Sequence, residues 1–510
     1  MGPGGNKQTS IDEYLAPFTI EAIHIVNQEG MSNNLINVTA GFRIFESIDK
    51  HFLTADLGLV DGVNILKYFR FTGQEFIRIA LRHGTGDDSG PLVDINFRVY
   101  KLFDNLRPKE TVQSYKLQLC DPTMFISDTT RISKVYRGSH SEMLFKVLNS
   151  ELNVPTSKID HWEDTETENN QFVCPNWKAS TLLKYFEANA FKGTNSAWRN
   201  GMFFYQTMAR GFHFKSIDQM CSGETTPEFR KDEETKNEVH KLTFKPTSGG
   251  KDEKSRNQIL SMKRKQLFNT MEGTNLGLYA STSYSYDSVS KIQKEFFYDI
   301  EDTMNRSSLH LSGRPLIRTE SMIQESTGQD LERAFTTGNP KGDEFPPVKT
   351  VPYQFNLAPN RQYDNFILAD HTSNHDFDNS DDISKDEVFQ GDNIKDNSKL
   401  ERIALRHLLK QNMVEIIIPV RTDITVGNVI ELVIPEPEIQ DDNSTTLDLI
   451  SDNRYLVVNS CLTANVQTSQ GSLQLDCVKE SFAQDIKKDT LEKMIESSTN
   501  PQNIDMDKEQ

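Results

Sequence analysis

The sequence predicts an α+β, multidomain and mostly antiparallel β protein, with β-rich units at both ends and helical matter between them. Three observations lead there. From Val414 to Glu438 the chain reads VEIIIPVRTDITVGNVIELVIPEPE, and from Asn453 to Phe482 NRYLVVNSCLTANVQTSQGSLQLDCVKESF; these are runs rich in Val, Ile and Leu, divided by Gly, Asn, Asp and Pro turns. A second series of strand signals occupies the first quarter of the chain. Between the two, apolar residues recur at helical rather than strand spacing.

Residues 1–130 form the first β domain. FTIEAIHIVNQ, INVTAGFRIFES, ILKYFRF, EFIRIALRH, DINFRVYKLFD and SYKLQLCDP each carry partial period-two patterning, and NQEGMSNN, DLGLVDG and RHGTGDDSG supply turns between them. Residues 131–200 are helical. SEMLFKVLNSEL opens on a Ser139/Glu142 capping box and places Leu144, Val147 and Leu148 on one side. Asn176 is the expected cap of a second helix, in which Ala179, Leu182, Leu183, Phe186 and Ala190 form a stripe. The insertion HWEDTETENNQFVCP reads as loop.

Residues 201–250 hold a hairpin in MFFYQTMARGFHFKSIDQM, turning at Ala209–Gly211, then a helical turn from Ser216 and the strand VHKLTFKP. Residues 251–310 are a mixed α/β connecting domain, with helical character over 255–275 and a return to strand in GLYASTSYSYDSVSKIQKEFFYD. Lys263, Arg264 and Lys265 read as a solvated helix face. Residues 311–397 are a long acidic irregular region, with ten Asp or Glu against four Lys or Arg between Arg361 and Leu400. Residues 398–484 are an amphipathic helix, SKLERIALRHLLKQNM, followed by the second β domain, and 485–510 read as a flexible tail. β-rich units at both ends suggest a structural duplication without sequence repetition.

At 510 residues, with 36% hydrophobic and 25% charged residues, the chain can bury large cores, and no apolar run reaches the roughly 18 residues of a membrane span. The N-terminal stretch lacks the basic and apolar regions of a secretory signal. A net charge of −18 disfavours general binding to nucleic-acid backbone. Five cysteines (Cys120, Cys174, Cys221, Cys461 and Cys477), widely spaced and without CxxC, suit a reducing compartment, with Cys461 and Cys477 as core fillers rather than a disulfide.

Reactive groups do not converge. His213, flanked by Phe212 and Phe214, reads as a surface or interface histidine; His161 and Cys174 are separated by a polar insertion. His371 and His375 have i,i+4 spacing beside Asp376 and Asp378, yet lack helical drive and the HExxH glutamate of a zinc site. Acidic pairs such as Asp382/Asp386, or Glu163 with its acidic neighbours in EDTETE, are too common here to nominate glycosidase carboxylates. Phe203, Phe204 and Tyr205 read as a core strand rather than a base-stacking platform. No GxSxG, Walker loop or strand-borne GxGxxG is present. The expectation is no catalytic, cofactor-binding or metal residue, no cofactor and no enzymatic activity.

The order of segments resembles the baseplate hub proteins of contractile-tailed bacteriophages, the T4-like tail hub family. The residues carrying the resemblance are EAIHIVNQEGMSNNLINVTAGFRIFES with VDG after it, the helix from Trp177 leading into MFFYQTMARGFHFKSID, and the two C-terminal segments quoted above. It covers about 10–245 and 398–482 of the chain. The resemblance implies that 1–130 and 398–484 are two tube-forming β-barrel-like domains. It also implies a homotrimer that presents six such domains as a pseudo-six-fold ring, joining the tail tube above to a central spike below. Baseplate wedge proteins would be neighbours, DNA would pass through an acidic, non-adhesive lumen, and the protein would sit in the virion tail after assembly in the host cytoplasm. A virion-associated cell-wall hydrolase or a receptor-binding tail protein is the alternative.

Overall fold

In a computed structural model, the structure describes residues 16–69, 71–84, 90–166, 171–192, 198, 200–221, 240–244, 257–267, 269–278, 280–286, 293–300, 303, 314–315, 360–362, 400–435 and 453–482. The strands that matter below are β1 (Ala16–Val26), β2 (Thr39–Ser47), β3 (Thr54–Asp61), β4 (Phe76–His83), β5 (Val93–Lys109) and β6 (Val112–Cys120). They continue with β7 (Ile159–Trp162), β8 (Met202–Thr207), β9 (Gly211–Ser216), β10 (His240–Phe244), β11 (Gln258–Ile259) and β12 (Ser261–Gln266). The C-terminal set is β13 (Met413–Pro419), β14 (Val429–Val433), β15 (Asn453–Asn465) and β16 (Gln470–Val478). The helices are α1 (Ile65–Phe69), α2 (Pro122–Thr129), α3 (His140–Lys146) and α4 (Ala179–Asn189), with a further one over 400–408.

A single 14-stranded sheet takes strands from both ends of the chain, in the order β11-β10-β14-β15-β2-β3-β6-β5-β4-β1-β16-β13-β12, with the short strand Ser32–Asn34 beside β1. This corrects the expectation of two tube-forming β-barrel-like domains. Strands from both ends share one sheet, and neither end of the chain closes a barrel of its own. The cause lies in β15, which at 13 residues is long enough to serve both ends. Its first residues pair with β14 (Leu456 opposite Val429), its last with β2 (Leu462 opposite Ile44), and its other side with β16 (Leu462 opposite Leu473). The hairpin β15–β16 is therefore a seam between the N- and C-terminal strands, and β1 joins it at Ala16 and Pro17. One large apolar core follows, reaching from Ile23, Ile44 and Leu57 to Ile416, Leu456 and Leu475.

The helical segment builds a second core from Leu144, Leu148, Leu182, Leu183 and Phe186. Ser139 caps α3 by accepting from the Glu142 amide at 3.3 Å, as its pattern predicts. Asn176 does not cap α4; Lys178 holds that position without a side-chain cap, and Asn176 takes φ +57°. Pairing of Trp177 and Lys178 with Ile132 and Arg131 keeps the residues before the helix extended, which moves its start.

Three further assignments change. ILKYFRF opens with helix α1 rather than a strand. The insertion 161–175 contributes residues to β7 and the strand Gln171–Val173, which find partners in β9 and in Val135–Arg137. Within the described part of 255–275 the chain forms β11 and β12, with a short helix at Thr270–Asn275, because β12 alternates its side chains against β13 (Lys263 opposite Glu415). The Lys263–Lys265 cluster thus rides on a strand, where Lys265 pairs with Glu415 at 2.9 Å and Asp476 at 2.7 Å. All five cysteines are free, and Cys477 is buried in the core as expected, while Cys461 is half-buried. No described helix is long and apolar enough to cross a membrane.

Candidate functional site

Between the two cores lies a small sheet, β7-β9-β8, and one cluster of buried polar groups surrounds it. Strand alternation sends Met202, Phe204, Phe212 and Phe214 into the helical core, while Phe203 and Tyr205 enter the large one. His213 pairs with Tyr205 across the hairpin and stacks on its ring, with centroids 5.1 Å apart. It does face away from Phe212 and Phe214, but that second face is covered too, and His213 is 3% exposed. Of the two readings, surface or interface histidine, this corrects the first: a sheet sandwiched between two cores has no solvent face. Phe203, Phe204 and Tyr205 are core residues, as expected.

His213 shares a hydrogen bond with the Thr207 hydroxyl at 3.0 Å, and its Nδ1 lies 3.5 Å from Asp160 Oδ2. Hydroxyl, imidazole and carboxylate in that order are what nucleophilic catalysis uses. Here the hydroxyl also accepts the Arg210 amide at 3.3 Å as part of the hairpin turn, and Thr207 is 2% exposed. A carbonyl carbon could not reach it. Burial, then the cations Lys215 and Arg210 and the neighbouring His161, push the His213 pKa well down, so the ring is neutral. Burial also lowers the Lys215 ammonium to about 8, against the opposing pull of Asp160. His161 stands opposite His213 in the parallel β7–β9 register, whereas Cys174 belongs to the helical core, so the two do not meet in one site.

Two buried carboxylates do the joining. Glu46, in phase with Phe42 and Ile44 on β2, points inward and is 4% exposed. It accepts from the Met208 amide at 2.5 Å, the Val426 amide at 3.3 Å and the Ser460 hydroxyl at 2.8 Å. Burial raises its pKa to about 7, the three hydrogen bonds opposing. It thereby ties β2 to the hairpin turn, the 422–428 turn and β15. Glu187, one helical turn beyond Leu183 on the apolar stripe of α4, meets His51 Nε2 at 2.6 Å and Arg402 Nη2 at 2.6 Å. Arg402 also donates to the carbonyls of Asn200 at 3.2 Å and Met202 at 2.7 Å. Burial alone would raise the Glu187 pKa; Arg402, His51 and Arg406 overcome it and hold it at about 2. Sequence reasoning missed both residues, although each sits at an apolar phase of its own element.

Glu163 is likewise committed, accepting from the Ser216 amide at 2.6 Å and pairing with Lys192. His371, His375, Asp376, Asp378, Asp382 and Asp386 lie outside the described residues. Among the described residues no three His, Cys, Asp or Glu side chains are grouped to hold a metal. The arrangement binds segments far apart in sequence into one body, and its polar groups are turned inward on one another.

No family model matches the chain, and no curated protein sequence matches it. Among solved structures it is similar to the 43 kDa tail protein of prophage MuSo2 from Shewanella oneidensis, with TM-score 0.45 and 8% identity over 90% of this chain and 99% of that one. It is also similar to a tail protein from Neisseria meningitidis MC58, with TM-score 0.44 and 9% identity over 92% of this chain and 100% of that one. A third likeness is to the E. coli c3393 protein, a component of the type VI secretion system, with TM-score 0.38 and 8% identity over 92% and 78% of the two chains.

Proposed function

We propose that this chain is a structural protein of a phage-tail assembly, and within it a baseplate hub of a contractile tail. Three copies form a pseudo-six-fold ring that joins the tail tube to the central spike, with wedge proteins around it and the virion as its final location. The observation that carries the reading is the seam β15–β16. It pairs with N-terminal strands on one stretch and C-terminal strands on another, and so holds two sheet regions of each copy in one fixed relation. A tube adaptor needs this rigidity, since three copies then offer six sheet regions at constant spacing. The inward-turned carboxylates serve the same end. A hydrolase would need its raised carboxyl in an open groove, and Glu46 is enclosed by its three donors. DNA would pass through a lumen whose acidic character gives it no counterion-releasing grip.

The test is the native mass of the purified full-length protein. A mass of three chains at micromolar concentration is the expected result; a single chain at every accessible concentration contradicts the hub reading.

A further inference from the structure

One buried cation has no partner of its own. Lys215 is 5% exposed, yet among the described residues its ammonium makes no hydrogen bond and no ion pair. The other buried Lys and Arg side chains are matched: Arg402 holds Glu187 and two carbonyls, and the Lys479 ammonium lies 4.6 Å from the centroid of the Tyr455 ring. An ammonium withdrawn from water with nothing opposite it is among the least favourable arrangements in a protein interior. Burial lowers its pKa, and the pull of Asp160 from a distance does not make that good.

The groups around Lys215 are donors. Lys215 and His213 are two residues apart on β9, so both lie on the side of the small sheet that carries Phe203 and Tyr205. With the Thr207 hydroxyl donating to Nε2, the neutral His213 ring carries its hydrogen on Nδ1, and that buried atom makes no hydrogen bond either. Arg210, in the hairpin turn, brings a second full charge, and it and Lys215 both bear on the His213 ring. The carboxylate acting on Lys215 is that of Asp160. Its Oδ2 lies 3.5 Å from Arg210 Nη1 and 3.5 Å from His213 Nδ1, longer than a charge-assisted bond. Lys215 and Arg210 against Asp160 leave one positive charge in excess. β7 is the outer strand of its sheet, and the approach runs past Asp160 and Arg210, whose side chains are 30% and 16% exposed.

We propose that Lys215, His213 Nδ1 and Arg210 form a binding site for a small monovalent anion, chloride or a short carboxylate, between the hairpin β8–β9 and strand β7. A single negative charge matches the single positive excess. Burial to this degree admits a compact ion and not a polymer backbone. The anion gives Lys215 the partner that the chain itself does not, and ties β7 to the hairpin where the two cores meet. This is independent of the hub reading, since it concerns the joint within one copy.

The test adds chloride to the full chain at about pH 7, from about 1 to about 150 mM, with gluconate holding ionic strength constant as an anion too large for an enclosed site. The melting temperature should rise and saturate, and the chlorine NMR line of the salt should broaden. Lys215→Met keeps the apolar stem and removes the charge; it should weaken both responses at least about tenfold. Arg210→Gln, a second variant, should weaken them as well, whereas Lys263→Met, at an exposed cation of β12, should leave them unchanged. Acetate in place of chloride tells which of the two anions the site takes, and a saturating response to either supports it. No saturating response to either in the wild type, or one that Lys215→Met and Arg210→Gln leave intact, would overturn the site and make Lys215 an ammonium served by water.

Discussion

Replacing Glu46 by Gln should abolish a specific limb of the protein's pH–stability profile. In the fold the carboxyl titrates near 7 against an ordinary 4.5. A raised carboxyl pKa means that the folded state keeps its proton while the unfolded state loses it. The associated stability is therefore full below pH 4.5 and is lost as pH rises through 7, amounting to roughly 3 kcal/mol for this difference. Glu187 acts in the opposite sense and at lower pH: held at about 2, it contributes stability above its ordinary value that disappears as pH falls toward 2. The two windows do not overlap. The assay is urea unfolding of wild type and Glu46→Gln at half-unit steps from pH 4.5 to 8, scored by the change of stability with pH rather than its absolute value, since the amide also alters the hydrogen bonds. Wild type should lose stability across this range relative to the variant. Parallel profiles would rule this out, because they would mean that Glu46 is already ionised in the fold or is reached by water.

Further predictions concern the joints around the small sheet. Arg402→Met leaves Glu187 a buried carboxylate with its main cation gone, and should cost about 3–5 kcal/mol, read as a lower melting temperature and faster proteolysis near residues 187–202. Gly211→Ala should destabilise by about 2 kcal/mol or more, because Gly211 has φ +92° and an added Cβ would lie 2.2 Å from the Lys158 carbonyl oxygen; thermal melting of the two proteins decides it.

What the sequence made legible was local, and what it concealed was pairing over distance. The α4 stripe, the hairpin β8–β9 and the tight turn at Gly427, with φ +81°, each follow from residues within one element. The fate of β15 does not: nothing in NRYLVVNSCLTAN states that its first half meets β14 and its second half meets β2, some 400 residues away in sequence. That one long strand merges the two ends into one sheet where two barrel-like units were expected. The same limit applies to polar residues. His213 alternates correctly in its hairpin, but the second core that covers its face comes from other parts of the chain. Glu46 and Glu187 were visible as acids at apolar phases, a signal whose meaning depends on donors from Met208, Ser460 and Arg402. Lys263, Arg264 and Lys265 suit a helix as well as an outer strand edge, and only the acids at Glu415 and Asp476 decide between them.

If this rigid, seamed sheet is one third of a ring, electron-microscopic averaging of the purified full-length protein should show it without recourse to any variant. Annular particles with three-fold symmetry and a central opening are expected; a field of single, asymmetric particles at all concentrations, or rings of another order, contradicts it.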